Sequence, residues 1–272
     1  NVSSPHFPLW NTKEFWEMYA DGGDMPAYDS TCDSAQHPYA QDLRSYFETD
    51  TFTEEQVRGL RRGYYGNVSF VDRQLGRIMQ TMEETGLQDN TNLIYTADHG
   101  EMLGKFGLWW KCNLYEDAVR IPCIASGPDF QSDCTVDTPV DLLDVQASLF
   151  EITGVPLPEG RYGTPLQHIL KQDKERVVFA EYHGHGTRSG SYMIRKGDWK
   201  LIYYMKAEHQ LFHLAEDPNE LVNVFKDHPD KAAELVRELR YICDPKLENE
   251  KAHAFQAEQI RAVTGTAYNL SN

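Results

Sequence analysis

Thr53, with Gln56 three positions on, opens a run in which Val57, Leu60, Tyr64, Val68, Val71, Leu75, Ile78 and Met82 recur at spacings of three and four. Thr-x-x-Gln is a capping box, and the spacing puts all of these apolar residues on one face. Gly86 suits the position just past a helix end. A helix of about eight turns with one apolar stripe needs a broad apolar surface to lie on, which excludes a disordered chain. After the turn Gln88-Asp89-Asn90 comes Asn92-Leu93-Ile94-Tyr95-Thr96-Ala97, the short apolar run of a buried strand in a parallel sheet. Helix followed by buried strand predicts an α/β fold, a mostly parallel mixed sheet flanked by helices. Asp98-His99-Gly100-Glu101 falls at the strand's carboxyl end, where open α/β sheets bind ligands.

Around this unit the chain divides in two. Residues 1–50 are rich in Pro, Gly, Asp and aromatics and read as surface loops over a core built elsewhere. Ile121 to Ala125 reads as a second strand, with Pro122 at its start or edge. Asp141 to Thr153 reads as an amphipathic helix ended by Gly154 and Pro156. Past Gly160–Thr164 the pattern changes to short strands at Val177–Tyr182, Ser191–Arg195, Trp199–Tyr204 and Gln210–Leu214, with a hairpin turn at Lys196-Gly197-Asp198. A helix over 228–243 and a polar helical tail follow. The expected division is residues 1–165, part of an α/β catalytic domain, and 166–272, a smaller α+β subdomain with an antiparallel sheet. The polar C-terminal helix leaves packing on a second copy, a homo-oligomer, open.

Lys and Arg number 26 against 42 Asp and Glu, a net charge of −16. That balance argues against nucleic acid as a partner. It also repels anions globally, so a site for an anion must concentrate positive charge locally. No apolar run reaches the ~18 residues of a membrane span. The five cysteines cannot all pair internally, form no Cys-x-x-Cys, and read as mostly free thiols. Sequons at Asn1, Asn67 and Asn269 do not decide the compartment, since Asn67 falls inside the long helix.

Four places carry chemistry. Asp98 offers hard anionic oxygen and His99 nitrogen, a pair suited to a divalent cation, although an isolated Asp-His also suits a loop Asp capping the next turn. Lys111, in Gly107-Leu108-Trp109-Trp110-Lys111-Cys112, is either a snorkelling surface lysine or a point charge for a sulfate or phosphate oxygen. His6, in Pro5-His6-Phe7-Pro8, sits on backbone expected to be stiff and extended, and can donate a proton near neutral pH. His183-Gly184-His185-Gly186, with Arg188 beyond it, is either a loop facing a substrate cleft or a merely solvated loop, with metal binding by the His-x-His also open. No Gly-x-Ser-x-Gly elbow, P-loop or dinucleotide fingerprint occurs.

In order, these segments resemble the C-terminal half of the type I sulfatases of the alkaline phosphatase superfamily. The likeness rests on Tyr64-Tyr65-Gly66-Asn67 through Gly76, Thr96-Ala97-Asp98-His99-Gly100-Glu101, Lys111 with Leu114 to Pro122, Pro5-His6-Phe7-Pro8, Ile194 to Ile202, and Gln210 to Glu220, over most of residues 1–225. The resemblance implies sulfuric ester hydrolysis. Asp98 and His99 would complete a metal shell for a divalent cation, calcium first, with Mg2+, Mn2+ or Zn2+ open. Lys111 would bind a sulfate oxygen, and His6 would contact sulfate or protonate the leaving alcohol. His183, His185 and Arg188 are expected to line the pocket of a small-molecule or carbohydrate sulfate ester. The family's nucleophile, a formylglycine made in a Cys/Ser-x-Pro/Ala-x-Arg motif, matches none of the five cysteines. It is expected in an N-terminal half preceding Asn1, so the chain is expected to be a fragment, inactive alone. Two other readings stay open: phosphonate or phosphodiester hydrolysis, and a non-catalytic binding module on the same scaffold.

Overall fold

The structure, a computed structural model, describes residues 1–264; the Asn269 sequon lies outside them. Before the long helix stand α1 (Lys13–Glu17) and α2 (Pro38–Phe47). α2 corrects the expectation of loops throughout residues 1–50. His37 caps it with its ring, Pro38 occupies its first turn, and Tyr39, Ala40 and Leu43 are buried on one side. α3 (Glu54–Glu84) carries the predicted capping box in full, Thr53 and Gln56 each bonding the other's backbone N–H. It ends in a Schellman motif: Leu87 N–H donates to Met82 O at 2.9 Å and Gly86 N–H to Glu83 O at 3.1 Å. Asn67 is buried in this helix.

α3 fixes the N-terminal segment. Asn11 Nδ2 donates to Gly63 O at 2.8 Å, and a Cβ at Gly66 would stand 2.5 Å from Asn11 Oδ1, so a glycine is needed where the segment crosses the helix. Phe15 of α1 meets Phe70 edge-on at 5.7 Å, and Arg73 lies over Phe15 while pairing with Glu14.

β1 (Leu93–Thr96) is followed by α4 (Glu116–Val119), β2 (Cys123–Ser126) and α5 (Leu142–Ile152). β1 and β2 pair antiparallel, Leu93 opposite Ser126 and Thr96 opposite Cys123. Among the described residues this corrects the parallel neighbour expected for β1. An apolar run reports burial, and burial does not fix strand direction.

The C-terminal part is a meander of β3 (Val177–Tyr182), β4 (Ser191–Lys196), β5 (Trp199–Tyr204) and β6 (Gln210–His213), every neighbour antiparallel. Alternation sends Tyr192, Ile194, Leu201 and Leu211 to one face, against Ala232, Leu235 and Leu239 of α6 (Pro229–Ile242). Met193, Ile202, Tyr204 and Phe212 go to the other face, against Tyr39, Leu43, Phe106 and Tyr115. The sheet is thus covered on both sides. Lys200, fully buried, bridges the two portions of the chain, its ammonium 2.8 Å from Glu116 and 2.7 Å from Glu220. α7 (Pro245–Thr264) ends the described chain.

Candidate active site

β1 delivers Asp98 and His99 at its carboxyl end, and a close approach holds the turn. Gly100 N–H donates to Ala118 O at 2.8 Å, and a Cβ on Gly100 would stand 2.0 Å from Asp117 O. The Asp98 side chain is 86% exposed. His99 Nδ1 lies 2.9 Å from Gly100 O, which can only accept, so Nδ1 carries the hydrogen. In the neutral ring the lone pair is then on Nε2, 3.6 Å from Asp98 Oδ2. This backbone-fixed tautomer is the one that leaves a histidine nitrogen open to a cation.

The second strand of the site is the loop from Glu101 to Lys111. Glu101 folds it: one carboxylate oxygen accepts Trp110 N–H at 2.6 Å and Leu103 N–H at 3.2 Å, and Met102 N–H donates to Trp110 O at 2.9 Å. Burial pushes the Glu101 carboxyl above the usual carboxylate range, opposed by those two N–H groups and by the charges of Lys111 and His99. Lys111 then turns toward the N-terminal segment, and its Nζ donates to His6 Nε2 at 2.7 Å. His6 Nδ1 faces Phe7 O at 2.8 Å, which fixes its hydrogen there and leaves Nε2 to accept. The segment is a turn, closed by His6 N–H on Ser3 O at 3.0 Å, rather than the extended stretch that the flanking prolines suggest. His6 and His99 rings are 5.7 Å apart. Asp98, His99, His6 and Lys111, from three separated stretches of sequence, therefore meet in one cluster.

The other predicted residues separate. His185 meets Tyr46 at 5.7 Å and Phe47 at 5.8 Å, and Phe47 meets Trp110 at 4.6 Å, so this imidazole adjoins the cluster through aromatic rings. His183 turns the other way: its Nε2 contacts Glu181 at 3.0 Å, its ring meets Tyr192, and its carbonyl accepts from Gln256 of α7. Arg188 is held bidentately by Asp42 at 2.7 Å to each oxygen. Each side chain thus has a carboxylate partner, and neither contacts the Asp98–His99–His6–Lys111 cluster. Sequence reasoning gave no role to Glu101 or Trp110. Only the polar residue at the end of the Asp-His-Gly-Glu turn hinted at one.

Among the described residues no group of three or more His, Cys, Asp or Glu side chains forms a complete metal shell. Asp98 and His99 fit as two donors of such a shell, one hard oxygen and one imidazole nitrogen with its tautomer set.

The architecture is the alkaline phosphatase-like α/β fold, seen in solved sulfatases and phosphonate hydrolases. The family model described as Sulfatase matches residues 2–155, and the model described as N-sulphoglucosamine sulphohydrolase, C-terminal, matches residues 104–246. The chain belongs to the sulfatase family. It is 32% identical over 231 residues to the choline-sulfatase of Rhizobium meliloti (strain 1021), covering 82% of this chain and 45% of that protein. It is 30% identical over 238 residues to arylsulfatase K of Bos taurus, covering 82% of this chain and 44% of that protein. The solved phosphonate monoester hydrolase of Silicibacter pomeroyi superposes with a TM-score of 0.72 at 25% identity, covering 90% of this chain and 54% of that one. The chain thus spans about half the length of these relatives.

Proposed function

We propose that this chain carries the cation-binding and sulfate-binding part of a sulfuric ester hydrolase site. The observation that carries the reading is the 2.7 Å contact between Lys111 Nζ and His6 Nε2 beside His99 and Asp98. Lys111 holds a sulfate oxygen as a point charge. His6, its Nδ1 anchored on Phe7 O, presents Nε2 as the atom that takes up a proton and passes it to the leaving alcohol. Asp98 and His99 would hold a divalent cation, calcium by family resemblance, which supplies charge for the sulfate oxygens and the nucleophile. Together these groups give the local positive field that a chain of net charge −16 otherwise lacks.

None of the five cysteines lies in the family's nucleophile motif, and all are free thiols. We therefore infer that this chain alone does not turn over and that the nucleophile comes from a segment outside it. The test is hydrolysis of 4-nitrophenyl sulfate by the purified chain with calcium. No turnover is expected, with activity appearing when a polypeptide bearing Cys-x-Pro-x-Arg is joined to it. Turnover by the chain alone overturns the inference.

The superposition on a phosphonate monoester hydrolase supports a second reading, since the same lysine and cation suit phosphoryl oxygens. Comparative rates on a sulfate and a phosphonate ester decide between the two. Sulfated sugars, small alcohols and phenols all remain within the first reading.

A further inference from the structure

Aromatic rings run outward from the Lys111–His6 pair without a break. Lys111 Nζ lies 5.4 Å from the Phe7 ring centre, Phe7 meets Trp110 edge-on at 5.8 Å, and Trp110 packs on Phe47 at 4.6 Å. Phe47 reaches His185, which reaches Tyr46. The rings come from the N-terminal turn, the end of α2, the Lys111 loop and the β3–β4 loop, so convergence is a property of the fold rather than of one helix face. The row climbs from the core to the surface: Phe47 packs against the core and Trp110 is half-buried, while Phe7 is 48% and Tyr46 58% exposed. Trp110 also sits at φ 65, a region a bulky residue enters only at a cost, and Glu101 and Met102 hold it there by the backbone bonds described above.

The charges beside this row are already committed. Arg188, on the His185 loop, has both oxygens of Asp42. Arg44, on the helix that supplies Tyr46 and Phe47, is turned to Asp50 and to the carbonyls of Ala35 and Phe106. Ring faces carry negative charge density and favour rings, C–H faces and methylated cations over anions.

We propose that Trp110, Phe47, Phe7 and His185 form the subsite for the alcohol side of the ester, and that it takes a ring or methyl-bearing group with no second anion. The proposal rests on the sulfate-binding reading of Lys111 and His6 and names what lies next to that pair. Trp110 is the specificity-determining residue, and Glu101 positions it.

Calorimetric titration of the full chain with methyl sulfate, phenyl sulfate and 4-carboxyphenyl sulfate, in calcium, tests this. Phenyl sulfate is expected to bind about tenfold more tightly than methyl sulfate, and the para carboxylate to remove most of that gain. Trp110→Ala should bring the phenyl-to-methyl ratio within about twofold, and Phe47→Leu, away from the positive-φ turn, should lower it about threefold. Lys111→Ala should weaken both esters and keep the ratio. A wild-type ratio near one, a ratio unmoved in folded Trp110→Ala or Phe47→Leu protein, or tighter binding of the carboxylated ester overturns the subsite. Methyl sulfate binding that ignores Lys111→Ala overturns the sulfate-binding reading instead, and absence of binding by every ester overturns both.

Discussion

The C-terminal sheet and the β1–β2 pair are built from similarly apolar strands, yet they end in opposite states. The sheet is covered by α6 on one face and by α2 with the 106–115 stretch on the other, and Ile194, Leu201, Leu211 and Leu235 have no exposed surface. The β1–β2 layer is thin and open: Ile124 is 64% exposed and Leu149 of α5 53%, and Ile78, on the C-terminal half of α3, is 49% exposed. The candidate site joins the two. Lys111 leaves a loop whose neighbours Leu108, Trp109, Cys112 and Leu114 are all buried, whereas Asp98 and His99 stand at the end of β1. The Lys111 end is thus set by a sealed core. The Asp98–His99 end depends on two short strands with one partner each among the described residues. Amide hydrogen exchange should register this directly, with Ile194, Leu201 and Leu211 exchanging near the global unfolding limit and Ile94 and Ile124 much earlier. Equal protection in both layers would remove the distinction.

The largest effect is expected where the sealed region is charged. Lys200 is the cation between Glu116 and Glu220, with Arg195 3.7 Å from Glu116. Its removal leaves two buried carboxylates facing each other, and burial already pushes Glu220 upward. Lys200→Met should cost about 3–5 kcal/mol in urea unfolding, and adding Glu116→Gln with Glu220→Gln should restore part of it. Leu235→Ala, a plain cavity on the α6 face, should cost about 2–5 kcal/mol. If Lys200→Met proves neutral, ionic bridging is not what joins α4 to the sheet.

A smaller effect is tied to pH. His37 caps α2 with Nδ1, accepting Tyr39 N–H at 3.4 Å, while its Nε2 donates to Glu208 O at 2.9 Å, so only the neutral ring makes both bonds. Burial, its largest cause, depresses the His37 pKa below 6.5, and burial does the same to nearby His209. A base depressed on folding binds its proton more readily when unfolded, so its stabilisation is complete above 6.5 and is lost as pH falls below that value. Unfolding midpoints should therefore drop between pH 7 and 5, and His37→Asn, which keeps a capping oxygen, should flatten that drop. An unchanged slope in the variant would show that His37 does not contribute to it.

Legibility followed locality rather than burial. α3 and the four-stranded meander were readable because periodicity and turn chemistry are local: the capping box, the Gly197-Asp198 turn between β4 and β5, and alternation along each strand all sit within a few residues. α2 was hidden because its buried Tyr39, Ala40 and Leu43 are interleaved with polar residues behind a proline. The antiparallel partner of β1 is some thirty residues away, beyond what a pattern in one strand can specify. In the site, residue types identified Asp98, His99, Lys111 and His6 as chemically apt, and the fold brought them together. The pairing of Arg188 with Asp42 and of His183 with Glu181 was not legible, because those carboxylates are neighbours only in three dimensions or by side-chain direction. Trp110 owes its placement to a positive φ held by Glu101, a backbone property no residue type announces.

The smallest expected effect is the most decisive for the contrast between the layers. Ile124 lies in the middle of β2 opposite Tyr95, its one cross-strand partner among the described residues, and Ile194 in the middle of β4 between Phe179 and Leu201. β-Branched Ile→Thr keeps strand propensity and removes apolar surface, so its cost reports coverage rather than backbone preference. At exposed Ile124 the change should stay within about 0.5 kcal/mol in chemical denaturation of this chain. The same exchange at fully buried Ile194 should cost about 1–3 kcal/mol, since it places a hydroxyl in an apolar contact. If Ile124→Thr proves as costly as Ile194→Thr, something covers the β1–β2 layer in solution. The Asp98–His99 end of the site is then as firmly founded as the lysine end.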